Sequence, residues 1–144
     1  MSGRNHDPAP LKVWRHFLPG DWEVLAGKTD EDNDRLSLQV ASPDDWWFHV
    51  RGMPGSHVIL RANEQASGKQ TPSRGVLKQA AAIAAYYSKG RSGGMVAVSA
   101  TQATNVSKPR GAKPGTVSIR REIVLKVRPG LPAQPLSQPP RKEP

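Results

Sequence analysis

The chain has 144 residues, 36% of them hydrophobic, which is enough for one domain with its own core but not for two independent domains. It contains no cysteine, which excludes disulfides, thiolate nucleophiles, thiolate zinc sites and iron–sulfur clusters. The sequence has no apolar run near the roughly 18 residues needed to cross a membrane, and no secretory signal, so we expect a cytoplasmic protein without a membrane partner.

Net charge is +9, and it is distributed unevenly along the chain. Residues 1–64 hold ten acids against seven Lys and Arg, whereas residues 65–142 hold fourteen Lys and Arg against the single acid Glu122. A basic half with so few acids cannot be neutralised by internal ion pairs. This asymmetry favours a polyanionic partner such as nucleic acid.

The chain divides into three parts by composition. Residues 1–10 are polar, and residues 129–144 contain six prolines, so we expect a disordered tail at each end, the second with polyproline character. One folded domain is expected over residues 11–128.

Strand patterns recur through this domain. Asp21–Gly27 and Arg35–Ala41 alternate in polarity on either side of the acidic stretch KTDEDND, which predicts a hairpin with an acidic loop. Further strands are predicted at 46–50, 56–60, 95–101 and 116–127, the last folding back near Arg120 and Arg121.

One main helix is predicted between the fourth and fifth of these strands. Thr71 is a good N-cap with Pro72 at the first helical position, and Gly90 supplies the end. Apolar residues recur at helical spacing at Val76, Ala80, Ile83 and Tyr87. The predicted fold is therefore α+β: one mostly antiparallel or mixed sheet with one main helix packed on it.

The stretch DDWWFHVRGMPGSHVIL, residues 44–60, concentrates aromatic and ionisable residues. Strand alternation puts Trp46, Phe48 and Val50 on a core-like face and Trp47, His49 and Arg51 on the other. The second set suits either stacking on a base with a phosphate contact or simple covering of a sheet edge.

Pro54-Gly55 fits the two central positions of a type II turn. A four-residue loop over 52–55 would set Arg51 opposite Ser56 and send His49 and His57 to opposite faces, which disfavours a shared metal ion. Ser56 and His57 are adjacent in an extended segment and point apart. This geometry disfavours a nucleophilic triad with Asp45.

A second motif is the basic loop KPRGAKPG, residues 108–115. Its three cations, Lys108, Arg110 and Lys113, are spaced by prolines and glycines that exclude a helix and leave the backbone open to close approach. Such a loop suits phosphates, although a merely solvated loop is the alternative.

Four segments in order resemble the NFACT-R domain, the RNA-binding module of the NFACT proteins of ribosome quality control. They are GDWEVLAGKTDEDNDRLSLQV, PDDWWFHVRGMPGSHVIL, LKQAAAIAAYYSKG and VSATQATNVSKPRGAKPGTV, within about residues 14–128. The family's Asp-x-Trp-x-His falls on Asp45, Trp47 and His49, its Pro-Gly-Ser-His on 54–57, and its Lys-Pro-x-Gly-Ala-Lys-Pro-Gly on 108–115. Its Asp-Tyr-Thr is Ser99, Ala100 and Thr101 here, so only the threonine is kept.

The resemblance implies a non-catalytic RNA-binding protein, acting on tRNA or rRNA and on the large ribosomal subunit, without cofactor or metal. A chain of 144 residues has no room for the N-terminal domain and coiled coil of full-length NFACT proteins, so we expect a stand-alone module. The RNA-facing candidates are Asp45, Trp47, His49, Arg51, Ser56, His57, Thr101, Lys108, Arg110 and Lys113, with Arg74, Lys89 and Arg91 at the helix ends as secondary ones.

Two other functions stay open at this point. One is an enzyme acting on RNA or nucleotide phosphoesters, with His49 or His57 as general base or metal ligand. The other is an adaptor that binds a protein partner through the proline-rich tail.

Overall fold

The structure, a computed structural model, describes residues 9–63 and 71–133. Within these ranges the strands are β1 Val13–Leu18, β2 Trp22–Gly27, β3 Trp46–Val50, β4 Val58–Ala62, β5 Val96–Gln102, β6 Val106–Ser107, β7 Ser118–Ile119 and β8 Ile123–Val127. Helix α1 is Asp30–Arg35, continued by a π-helical turn Leu36–Val40, and helix α2 is Arg74–Tyr86; a 3-10 turn lies at Ala103–Asn105.

Six strands form one sheet in the order β1-β2-β4-β3-β5-β8, and all five neighbouring pairs are antiparallel. The short strands β6 and β7 form a separate two-stranded ribbon. The predicted fold class, a mostly antiparallel sheet with one main helix, is confirmed.

The two faces of the sheet carry two cores. Helix α2 packs on one face through small buried residues, among them Ala80, Ala81 and Ala84, which let its backbone approach the sheet. On the other face α1 and the π-helical turn cover the middle of the sheet, where Leu36 packs with Leu25, Trp47 and Ile59.

The hairpin predicted from Asp21–Gly27 and Arg35–Ala41 is wrong in its second half. Residues 30–40 are helical, because Thr29 caps the helix by accepting a hydrogen bond from the backbone N–H of Asp32 at 3.1 Å. Three acids follow the cap and suit the positive end of the helix. The cap residue with acids behind it was the overlooked sequence signal.

The partners of β2 are β1, which the sequence did not predict, and β4. The chain does break at Arg120 and Arg121, as predicted, and Arg121 has a φ of 56°. The two parts do not pair with each other, however, since β7 joins β6 and β8 joins β5.

Helix α2 starts two residues later than predicted. Ser73, not Thr71, is the N-cap, and its hydroxyl accepts from the N–H of Val76 at 3.1 Å. The helix ends at Tyr86, before Gly90. Its 13 residues make it too short to cross a bilayer, and no other helix in the described ranges is long and apolar enough.

Parts of the two expected tails, residues 1–8 and 134–144, lie outside the described residues. Residues 129–133, which the sequence assigns to the second tail, come directly after β8 and contact α2. There the N–H of Gly130 donates to the carbonyl of Ala82 at 3.1 Å.

A substitution at Gly27 can test how closely α1 packs on the sheet. A Cβ at this position would overlap the side-chain oxygen of Asn33 on α1, and that oxygen accepts from the N–H of His57 at 3.0 Å. We expect Gly27→Ala to lower the free energy of unfolding by about 1–3 kcal/mol through overpacking, measured by urea denaturation.

The matched control is Gly75→Ala in the first turn of α2. A Cβ there meets only the Ser73 hydroxyl at 3.7 Å, an ordinary contact. It should raise stability by up to about 1 kcal/mol through helix propensity. Equal effects of the two substitutions would contradict the close seating of α1.

Candidate functional site

The connection from β3 to β4 decides which side chains share a face. The predicted type II turn at Pro54-Gly55 is wrong: the positive φ belongs to Gly52, at 75°. Residues 54–56 instead run beside the chain leaving α2, with Gly55 bridged to Ser88 and the N–H of Ser56 donating to the Tyr87 carbonyl at 2.9 Å. The strand register therefore pairs Phe48 with Val58, one residue away from the predicted pairing.

This one-residue difference brings His49 and His57 to the same face, since side chains alternate along a strand. Their ring centroids are 5.4 Å apart in an edge arrangement. The ring centroid of Trp47 lies 6.1 Å from that of His49 and 5.3 Å from that of His57. The prediction that the two histidines point apart is wrong. Three aromatic rings form one cluster at the end of β3.

Trp47 is the floor of this cluster and not its outer surface. Its side chain is 3% exposed beneath the π-helical turn, and its indole N–H donates to the Ser37 hydroxyl at 2.8 Å. The expected alternation of β3 is confirmed, with Phe48 and Val50 in the α2-side core and Trp46 packed against it. A buried indole offers no free face for stacking a base, so His49 and Arg51 are the members of the set that reach solvent.

The ring of His57 links the sheet to the basic loop. Its Nδ1 lies 2.8 Å from the Ser37 hydroxyl oxygen, and its Nε2 lies 3.1 Å from the Gly115 carbonyl, which can only accept. Nε2 therefore carries the proton, and Nδ1 accepts from the hydroxyl, which in turn accepts from Trp47. One chain of hydrogen bonds fixes the tautomer and leaves neither ring nitrogen available to a substrate.

Burial, and after it the neighbouring His49, lower the pKa of His57 to about 4. Burial likewise lowers the pKa of His49, against opposing backbone hydrogen bonds at Gly55 and Val50. Both imidazoles are therefore neutral near pH 7, and the positive charge of the site comes from Arg and Lys.

The basic loop joins β6 to β7 and is clamped at both ends by Asp34 of α1. One oxygen of this carboxylate accepts from the Lys108 ammonium at 2.9 Å, and the other from the N–H of Gly115 at 3.1 Å. Between the clamped ends, Gly111 and Gly115 have φ values of 77° and 87°, each as the third residue of a turn closed by a backbone hydrogen bond.

Lys108 is part of the clamp. Besides Asp34, its ammonium donates to the carbonyls of Thr116, at 3.0 Å, and of Lys113. All three N–H donors of Lys108 are thus engaged inside the protein, which leaves none for the phosphate contact expected of this residue. Arg110 and Lys113 have exposed side chains and keep their charges at the tip of the loop.

A cleft of about 380 Å³ lies between the end of β3 and the loop. It is lined by His49, Arg51, His57 and residues 115–117, with the buried Trp47 at its base. Across the cleft, Glu122 accepts a hydrogen bond from Ser99 and lies 3.9 Å from the Nε of Arg51. The two sequence motifs therefore meet at one cleft.

Ser99 and Glu122 were missed as site residues. Ser99 lies directly opposite His49 in the β3–β5 register, at the position where the family pattern has an aspartate. The carboxylate of Glu122, which lies just before β8 and is bonded to Ser99, places an acid there from a different segment. The only available signal was that Glu122 is the one acid in residues 65–142.

Several other predicted residues make hydrogen bonds within the protein that support the site. Burial raises the pKa of Asp45, whose carboxylate accepts from the N–H of Ser42 at 2.8 Å and closes the turn before β3. Thr101 is buried and bonds the Arg120 carbonyl at 2.7 Å, and Ser56 bonds the Gly27 carbonyl at 2.6 Å.

The secondary candidates divide between the two ends of α2. Arg74 begins the helix, about 18 Å along its axis from Tyr86 at a rise of 1.5 Å per residue. Lys89 and Arg91 follow the helix end and lie beside Pro54 and Gly55, close to the turn that follows β3. In the described residues, no group of three or more His, Asp or Glu side chains is arranged to hold a metal ion.

Residues 12–121 match the family described as the NFACT protein RNA binding domain. The chain belongs to the NFACT RNA-binding domain family. The resemblance inferred from the sequence is thereby confirmed over most of the folded region.

Relatives of this NFACT RNA-binding domain are much longer proteins. It is 39% identical over 106 residues to the Rqc2 homolog RqcH of Bacillus subtilis strain 168, a match covering 74% of this chain and 17% of the relative. It is 35% identical over 120 residues to the Rqc2 homolog RqcH of Streptococcus pneumoniae serotype 2, covering 82% and 21%. The chain thus spans about a fifth of the length of these curated relatives.

Among solved structures, the fold matches the C-terminal part of the fibronectin/fibrinogen-binding protein from Streptococcus suis. The TM-score is 0.75 at 34% identity, covering 90% of this chain and 50% of that one.

The neutral, buried His57 predicts a pH dependence of stability. Its folded pKa of about 4 lies below the unfolded value of 6.5, so the unfolded chain binds the proton first as pH falls. The contribution of the neutral His57 to the free energy of unfolding is complete above pH 6.5 and is lost as the pH falls from there to about 4. At about 1.4 kcal/mol per pKa unit, the loss is roughly 3 kcal/mol in all.

The measurement is urea denaturation of the wild type and His57→Gln from pH 7.5 to 4.5. The variant, which cannot titrate at this position, should lose less stability over that range, by on the order of 2 kcal/mol. Parallel curves for the two proteins would show that His57 is not held neutral by the fold.

Proposed function

We propose that this NFACT RNA-binding domain holds exposed nucleotides of tRNA or rRNA in the cleft between β3 and the basic loop, without chemical conversion. His49 contacts a base or ribose, Arg51 contacts the adjoining phosphate, and Arg110 and Lys113 hold phosphates at the rim. The observation that carries the proposal is the convergence of the β3 motif and the loop on one cleft.

The charge around the cleft supports a polyanion. Lys108 is neutralised by Asp34, which leaves the loop's outward charge on Arg110 and Lys113. Arg120 and Arg121 are also exposed, next to the cleft residues Ile119 and Glu122. Because these cations sit at turns and carry exposed side chains, they can follow a phosphate backbone.

The proposed phosphoesterase alternative is weaker for a structural reason. A general base needs a free lone pair, and both ring nitrogens of His57 are engaged within the protein. His49 shares the face with His57, but no third His, Asp or Glu side chain joins the two in a metal-binding group in the described residues.

We further propose that the domain acts in the cytoplasm in ribosome quality control, on the large ribosomal subunit. The support is its similarity to the RqcH proteins, of which it covers only about a fifth. A protein partner bound through the proline-rich tail is a separate proposal, and residues 134–144 of that tail lie outside the described residues.

The test is the salt dependence of affinity for tRNA. We expect the dissociation constant to rise steeply with salt, and Arg110→Ala/Lys113→Ala to reduce the slope of log K against log salt by about 1.5, since each phosphate contact contributes roughly 0.7–0.9. Fluorescence anisotropy of labelled tRNA measures the slope.

The control is Arg74→Ala/Lys78→Ala, an equal charge change on the first turns of α2. Arg74 is a secondary candidate from the sequence, but neither residue lines the cleft. This double variant should leave the slope within about 0.3 of the wild type. Equal slopes for the three proteins, or cleavage of the RNA during the assay, would overturn the proposal.

A further inference from the structure

A second cleft, also of about 380 Å³, lies on the other side of the turn that follows β3. Pro54 and Gly55 form one wall, the end of β2 another, and the chain leaving α2 the third. Three of its lining residues, Pro54, Gly55 and Ser56, belong to the Pro-Gly-Ser-His motif. Of its aromatic and basic residues, Trp14 and Arg91 lie outside the four segments that carry the family resemblance.

An aromatic platform forms one side of this second cleft. Trp14 of β1 stacks on Tyr87 with ring centroids 4.2 Å apart and planes 6° apart. The Tyr87 hydroxyl lies 2.7 Å from Nε2 of His16, which fixes the lower ring of the pair. Trp14 is 37% exposed, whereas Trp22 and Trp47 are buried, so a large flat ring is held rigidly at the surface.

Three cations, Lys28, Lys89 and Arg91, line the cleft together with the platform. The Lys28 ammonium lies over the Trp14 ring, 5.2 Å from its centroid. The guanidinium carbon of Arg91 lies 3.8 Å from the centroid of the Tyr86 ring, and Arg91 Nε donates to the Tyr86 carbonyl. Lys89, two residues before Arg91, is exposed. The one acid in the cleft wall is Asp30, so the cleft is positive.

The two clefts are neighbours on one turn. Arg51 and Gly52 line the first, and Pro54 and Gly55 line the second. Gly52 and Pro54 are two residues apart, so their Cα atoms are at most about 7.6 Å apart. A single extended strand can therefore pass over the turn from one cleft into the other.

We propose that the second cleft is a nucleotide subsite for single-stranded RNA that continues from the first. A base displaces the flexible Lys28 ammonium and stacks on Trp14, while Lys28, Lys89 and Arg91 hold the flanking phosphates. This inference rests on the proposed function, because it extends the same RNA beyond the first cleft. Stacking on an aromatic ring accepts any base, so this subsite adds affinity and length but little sequence preference.

Tryptophan fluorescence tests the subsite with a single-stranded RNA oligonucleotide. Binding should quench the wild type, and Trp14→Phe should lose most of the quenching while keeping its affinity within about 3-fold, since phenylalanine still stacks. Trp14→Ala should weaken binding at least about 5-fold, by anisotropy of the labelled oligonucleotide.

Charge is tested separately, so that a folding defect of Trp14→Ala cannot decide the result. Lys89→Ala/Arg91→Ala should reduce the salt slope by about 1.4, the single-strand value for two phosphates, and Arg74→Ala/Lys78→Ala should not. Circular dichroism and urea denaturation confirm that each variant is folded.

The outcomes separate the two proposals. Undiminished quenching in Trp14→Phe, together with wild-type affinity and slope for Lys89→Ala/Arg91→Ala, overturns the subsite; if Arg110→Ala/Lys113→Ala still weakens binding, the first cleft stands. If the wild type binds no RNA, both proposals fail.

Discussion

The hydrogen bond from His57 to the Gly115 carbonyl joins the two parts of the molecule on which the site depends. His57 belongs to the sheet, and Gly115 ends a loop that comes 58 residues later in the chain. The bond requires a proton on Nε2. Ser37, which accepts from Trp47 and donates to Nδ1, fixes that tautomer of the neutral imidazole. The aromatic cluster of Trp47, His49 and His57 therefore supports the loop as well as facing the cleft.

Charge is organised around the same junction. Asp34 binds Lys108 and the backbone of Gly115, so one acid of the acidic half neutralises the innermost cation of the basic half and fixes both loop ends. A partly buried carboxylate with both oxygens bonded is a stronger anchor than an exposed ion pair. Arg110 and Lys113 keep exposed side chains, so an acid from the first half of the chain fixes the loop that presents these two cations.

The sequence predicts well what depends on local patterns. The alternation of β3, the buried face of α2 and the fold class are confirmed. Burial of one face of a strand or helix requires apolar residues at a regular spacing, and this spacing is visible in the sequence. The register of β3 with β4 was missed because either Gly52 or Gly55 could take the positive φ of the turn. Gly55 instead pairs with Ser88, a tertiary contact, and Gly52 has the positive φ. Lys108 could not be recognised as a clamp, since its partner Asp34 lies 74 residues away.

The most direct test of the account is NMR mapping of the amide and imidazole signals of the isotope-labelled chain during titration with a short single-stranded RNA. The account predicts shift changes at His49, Arg51 and residues 115–117, while the His57 imidazole keeps its Nε2–H tautomer, since the bond to Gly115 persists in the complex. Changes confined to Arg74 and the first turn of α2, with residues 115–117 unmoved, would contradict it.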